Sequence, residues 1–184
     1  MKFIRTEIPE VQIIEPDIYR DQRGFFLENW NIEKYSKAGI TDAFKQDSHS
    51  LSQKDTVRGL HAQLTMSQAK LIRVIEGEIF DVAVDIREGS PTFGKWVGAV
   101  LSEENFRQLY IPVGFAHGFA VTSERAQVQY KQSEVYHPED EIGILWNDPE
   151  IGVDWPVSEP ILSERDKRHK TLAEMAGSLP TYKG

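Results

Sequence analysis

Residues 78–87, read EIFDVAVDIR, alternate strictly: Phe80, Val82, Val84 and Ile86 fall on one side of an extended chain, and Asp81, Asp85 and Arg87 on the other. A period of two marks a strand with one face buried, and the turn segment SPTFG (90–94) closes it. Similar runs recur at 70–75, 96–101, 108–111, 119–122 and 126–131, separated by clusters of Gly, Pro, Asp and Asn. Short strands in this pattern predict an antiparallel sandwich or barrel. In the last run Ala126, Val128 and Tyr130 share a face, so Tyr130 is expected to point with the apolar set into a barrel interior. Helix is expected only at 32–38 and around 163–176, the latter inside a C-terminal extension of about residues 157–184. The fold class is thus mainly β with short helical additions, and 184 residues suit one domain.

Composition narrows the function classes. The chain has no cysteine, which excludes disulfides and thiolate metal sites. A net charge of −8 and a sequence pI near 5.2 oppose general nucleic-acid binding, although a few local arginines still suffice to hold a phosphate-bearing small ligand. The opening MKFIRTEIPE lacks the basic stretch and apolar run of a signal peptide. No window approaches 18 apolar residues. The expectation is a cytoplasmic protein with no membrane and no nucleic-acid partner.

The segment PVGFAH (112–117) has the spacing P-x-G-x-x-H, which resembles the second motif of the cupin barrels. There the proline and glycine form a tight turn and the histidine points inward. The first cupin motif carries H-x-H, an acid, six residues and a glycine. Here the corresponding positions read His61, Ala62, Gln63, then Lys70 and, after six residues, Gly77. One histidine survives, the second has become Gln63 and the acid has become Lys70. A divalent metal seeks neutral imidazoles and a carboxylate, and an ammonium aimed at it repels it. The expectation is a pocket without metal or cofactor, rebuilt for acid–base chemistry. Taken singly, His61 and His117 read more readily as satisfied core histidines; together with Lys70 in a barrel frame they read as a site.

Longer blocks carry a more specific resemblance. DQRGFFLENWN (21–31), RGLHAQ (58–63), EIFDVAVDIREGSPTFGKW (78–96), IPVGFAHGF (111–119), YHPEDEIGILWNDPEIGVDWP (136–156) and ILSERD (161–166) resemble the dTDP-4-dehydrorhamnose 3,5-epimerase family, in the family's order. The resemblance implies a cupin-like jelly-roll barrel and a homodimer in which an N-terminal arm crosses to the neighbouring subunit. It also implies a dTDP-4-keto-6-deoxyhexose substrate, whose ketone acidifies the hydrogens on C3 and C5.

By the same resemblance His61 is the base, Asp166 orients it, Lys70 stabilises the enolate oxygen, Tyr130 is the acid on the opposite face, and His117 stands near the keto group. Arg23 and Arg58 are implied for the diphosphate and Phe26 for stacking on thymine. Glu28, Gln46, Ser48, Tyr136, Glu141, Lys167 and Arg168 complete the implied binding set. Without the family, Asp166 in the run ERDKRHK reads as a solvated acid. Tyr136, six residues beyond Tyr130, competes for the acid role.

The chain departs from the family's usual pattern at Ala62, where an aromatic is common, at Ser48 for Asn, and at Ala69 for Gly. These positions bear on sugar and nucleotide preference and on whether C3, C5 or both are inverted. Two other classes make distinct predictions. A metal-dependent cupin enzyme would hold a transition metal at His61 and His117, and a sugar-nucleotide binding module would bind without exchanging substrate hydrogens.

Overall fold

The computed structural model describes residues 1–183. Thirteen strands and one α-helix follow in chain order. They are β1 (Lys2–Arg5), β2 (Gln12–Glu15), β3 (Ile18–Asp21), β4 (Gly24–Leu27), α1 (Ile32–Lys37), β5 (Gln46–Gln53), β6 (Val57–Gln63) and β7 (Lys70–Glu76). Then come β8 (Glu78–Asp85), β9 (Trp96–Ser102), β10 (Gln108–Ile111), β11 (Phe115–Val121), β12 (Arg125–Gln132) and β13 (Glu141–Gly143). Six strands form one sheet in the order β1-β2-β10-β7-β12-β5, and five form a second in the order β13-β6-β11-β8-β9. The hairpin β3–β4 stands apart from both.

The two sheets close over one apolar core. Ile72, Val74, Leu109, Ile111, Ala126 and Val128 from the first meet Ile79, Ala83, Val97, Leu101, Phe115, Phe119 and Val121 from the second. Each of the Val, Leu, Ile and Phe side chains among them contributes roughly 1.5–3 kcal/mol on burial. Tyr130 packs against this cluster, on the face expected from its strand. The fold is mainly β, as the strand pattern predicts, and cupin-like, as the motif resemblance implies.

The best-patterned strand is buried differently from its sequence reading. Asp81 and Asp85 are both fully buried, so β8 has no solvent face. Its Ile79 and Ala83 enter the barrel core. Phe80, Val82, Val84 and Ile86 instead face outward, under a layer made of Ile144, Ile151, Leu172 and Leu179 from the last third of the chain. Asp81 pairs there with His117, and Asp85 with Arg87, Ser90 and Thr92, and periodicity alone does not distinguish paired buried carboxylates from solvated ones.

The cupin-like turn before β11 forms as its motif requires. Gly114 has φ +85°, and a Cβ there would come within 2.7 Å of the Arg87 side chain. Helix α1 forms at the expected place, capped by Asn31, whose side chain accepts from the amides of Glu33 and Lys34 at 3.1 and 3.2 Å.

The expected helix at 163–176 is reduced to two single 3-10 turns, Asp166–Arg168 and Ala173–Met175. The main chain between them bonds outward instead of to itself. The Leu145 amide donates to the Lys170 carbonyl at 2.8 Å, and the Leu172 amide to the buried Asp148 carboxylate at 2.6 Å. Bonds spent on the sheet are not available for an i to i−4 ladder.

Candidate active site

At one end the barrel interior turns polar and opens into a cavity of 490 Å³. Strand β6 supplies Arg58, His61 and Gln63, β7 supplies Lys70, β11 supplies His117 and Phe119, and β12 supplies Tyr130 and Gln132. Across the antiparallel β6–β11 pair, His61 stands opposite His117. Alternation along neighbouring strands thus aims several polar side chains at one space.

His61 is oriented by a carboxylate from far along the chain. Its Nε2 lies 2.7 Å from Oδ1 of Asp166. Asp166 is only 4% exposed despite its charged neighbours. Two features bring it there. The Val57 amide donates to the Ile161 carbonyl at 3.1 Å, tying the incoming segment to the start of β6. The Ser163 hydroxyl then accepts from the Asp166 amide at 3.0 Å. Burial alone would raise the carboxyl pKa, but the hydrogen bond and charge of His61, with the Ser163 contact, bring it below the usual range. An ionised Asp166 accepts a hydrogen bond from Nε2–H of His61 and leaves Nδ1 with a free lone pair. Nδ1 lies 4.0 Å from Oε1 of Glu141. Glu141 itself receives the Tyr136 hydroxyl at 2.7 Å and forms an ion pair with Arg165.

A second pair lies deeper. His117, 7% exposed, has Nε2 at 2.7 Å from Oδ1 of the fully buried Asp81. Burial pulls the imidazole pKa down against the opposing pull of Asp81. Lys70 completes this floor. Its ammonium is buried and its pKa is pulled down to about 8, chiefly by desolvation, while Glu141 and Asp81 pull it back up. Lys70 therefore remains mostly charged at neutral pH and is held close to its titration point. Tyr130 sits on the β12 wall, its hydroxyl pKa raised by burial and drawn down by the charge of Arg58.

The remaining implied residues divide. Gln46, Ser48, Arg58, Tyr136 and Glu141 line the same cavity. Gln46 and Ser48 donate to the amide oxygen of Gln132 at 2.9 and 2.7 Å, which fixes an amide rim. Arg23, Phe26 and Glu28 do not line the cavity of their own chain. Arg23 is paired with Asp21 on the β3–β4 hairpin, Phe26 is 69% exposed there, and Glu28 pairs with Lys34. Lys167 and Arg168 also point away, the first paired with the Glu164 side chain and the second donating to the Glu164 carbonyl.

Several cavity residues escape the sequence reading: Gln68, Phe119, Gln132, Ser163 and Arg165 line it, and Asp81 supports His117 from beneath. The cupin alignment of His117 gives no hint of Asp81, whose only sequence signal is a charge alternating within an apolar strand.

His61, Asp166 and His169 offer donor atoms within 4.8 Å of one another. Two ligands of a tetrahedral zinc stand about 3.3 Å apart, given bonds of about 2.0–2.1 Å. The 2.7 Å between His61 and Asp166 is a hydrogen-bond length, and the spacing fits a shared proton better than a shared cation.

A cupin-like barrel with an ammonium in place of the metal-binding acid, and a carboxylate-backed imidazole beside it, falls in the class of acid–base isomerases. The chain belongs to the dTDP-4-dehydrorhamnose 3,5-epimerase family, whose pattern it matches over residues 5–174. The dTDP-4-dehydrorhamnose 3,5-epimerase of Pseudomonas aeruginosa is 51% identical over 176 residues, covering 95% of this chain and 97% of the relative. A crystal structure of the dTDP-6-deoxy-D-glucose-3,5-epimerase of Legionella pneumophila in complex with dTDP-4-keto-L-rhamnose superposes with a TM-score of 0.97. It is 51% identical, with 100% of this chain and 99% of that one covered. A dTDP-4-dehydrorhamnose 3-epimerase of Streptomyces niveus is 39% identical over 173 residues, 92% of this chain and 84% of the relative.

Proposed function

We propose that this protein inverts C3 and C5 of dTDP-4-dehydro-6-deoxy-D-glucose to give dTDP-4-dehydro-L-rhamnose, with no metal or cofactor. The observation that carries the reading is the convergence of His61 on Asp166, Lys70 and Tyr130 around one cavity. Nδ1 of His61 takes the proton from the carbon beside the ketone, and Asp166 stabilises the imidazolium that results. The electrons of the broken C–H bond move onto O4, where the Lys70 ammonium balances the developing charge. Tyr130 returns a proton to the opposite face of the carbon, which inverts it. His117, held by Asp81, lies within reach of the keto group. Arg58 holds phosphate oxygens at the mouth, and Gln46, Ser48, Tyr136 and Glu141 contact the sugar and nucleotide.

The protein acts as a cytoplasmic homodimer in this reading. Arg23 and Phe26 project on a hairpin clear of their own cavity, a disposition that suits delivery of a guanidinium and an aromatic ring to the partner's nucleotide. No helix among the described residues is long and apolar enough to cross a membrane. Inversion at one carbon only is the second reading, favoured by the likeness to the Streptomyces niveus 3-epimerase. The greater identity to 3,5-epimerases argues for both carbons.

The test is NMR of dTDP-4-dehydro-6-deoxyglucose with chelator-treated protein in deuterated water. Deuterium entering both C3 and C5 is the expected result. Entry at one carbon would support the monofunctional reading. Activity lost on chelation and restored by a transition metal would overturn the acid–base account.

A further inference from the structure

His169 is a largely buried side chain, 10% exposed, beside the dyad that the proposed mechanism leaves without a task. It follows the 3-10 turn carrying Asp166, and its neighbour Lys170 bridges Ile144 just past β13. Its Nε2 lies 3.8 Å from Oδ1 of Asp166, beyond hydrogen-bond reach, and its Nδ1 is buried with no partner among the described residues. A buried polar group without a partner costs stability, and an apolar side chain in the same space would avoid that cost. What the ring does have is position. It meets the His61 ring edge-on, with centroids 5.4 Å apart and planes at 82°.

The ring also lies against Gly143, the residue paired with His61 across β6 and β13. A Cβ at position 143 would overlap the imidazole. Glycine in a strand often marks a close approach of this kind, and Gly143 ends β13 at that contact. Burial also pulls the His169 pKa down, with the charge of His61 adding to that shift. The charged or titratable groups facing the ring are His61, Asp166, Arg165 and Glu141. A neutral ring there adds no second cation beside His61 when His61 takes up a proton.

We propose that His169, seated in the gap left by Gly143, is a positioning residue that walls the His61 imidazole into line with Asp166. The inference rests on His61 being the base. Without the wall, the His61 ring gains freedom to tilt off the 2.7 Å bond, and loss of alignment lowers turnover more than binding.

The experiment is a double-mutant cycle on kcat and KM with His169→Ala, Gly143→Ala and the pair together, each checked for folding by thermal melting. Each single change is expected to lower kcat about tenfold, with KM held within about twofold. The pair is expected to be no worse than His169→Ala alone, because the added methyl has nothing left to displace. If Gly143→Ala fails to fold, a folded double variant supports the same packing, and an unfolded one overturns it. Wild-type kcat in His169→Ala, or effects that multiply in the pair, would also overturn it. Wild-type protein that exchanges neither C3 nor C5 would instead sink the underlying assignment of His61, so the two failures are separable.

Discussion

Lys70 shows how one substitution in a metal-binding frame redirects its chemistry. It stands where a cupin carries an acid, and it is buried beside Asp81 and Glu141. Its pKa, near 8, is depressed, so the group is charged below that pH and neutral above it. The enolate stabilisation we propose for that charge would be present at neutral pH and lost as pH rises through about 8. A kcat profile should therefore fall on its alkaline side near pH 8 in wild type. Lys70→Met should lower kcat about 10²–10³-fold, in the range for removal of one oxyanion donor, and should remove that limb. Persistence of the same alkaline limb in Lys70→Met would assign it to another group. The identity of Lys70 was legible from motif spacing alone. Asp166 was not: a carboxylate in ERDKRHK becomes buried only because residues 161–166 are tied to the edge of β6, a long-range contact that no local pattern records.

At the scale of elements, alternation located the barrel strands, because period two is set by backbone geometry. It did not reveal what each face meets. The apolar face of β8 lies beneath residues from the last third of the chain, not in the barrel. Strands β1 to β6 and β13 escaped for a related reason: each is only partly apolar, and pairing, not composition, holds it extended. The C-terminal layer is integral on this account. Leu172, 4% exposed against β8, should cost about 2–5 kcal/mol when truncated to Ala, measured by denaturant unfolding. A loss under about 1 kcal/mol would make that layer a peripheral cover.

At the scale of the molecule, the barrel holds the cavity and its titratable groups, and the β3–β4 hairpin stands apart from both sheets. Arg23 is 85% exposed and Phe26 69%, which a solitary chain has little reason to present. If the hairpin completes the partner's site, mixing His61→Ala chains with Arg23→Ala/Phe26→Ala chains should restore activity. Random pairing would give about a quarter of the wild-type sites, since one site in each mixed dimer is intact. No gain over the separate variants would show that the hairpin serves its own chain or none. The proposed dimer rests on family resemblance alone, since neither periodicity nor charge encodes a two-fold axis.

The central claim is that His61 removes the substrate protons and Tyr130 returns one from the other face. Site-resolved deuterium exchange at C3 and C5, followed by NMR in His61→Ala and Tyr130→Phe, tests it most directly. We expect no exchange at either carbon in His61→Ala. In Tyr130→Phe we expect exchange to persist while inversion is lost at the carbon that tyrosine serves. Exchange at wild-type rates in His61→Ala, or full inversion in Tyr130→Phe, would contradict it.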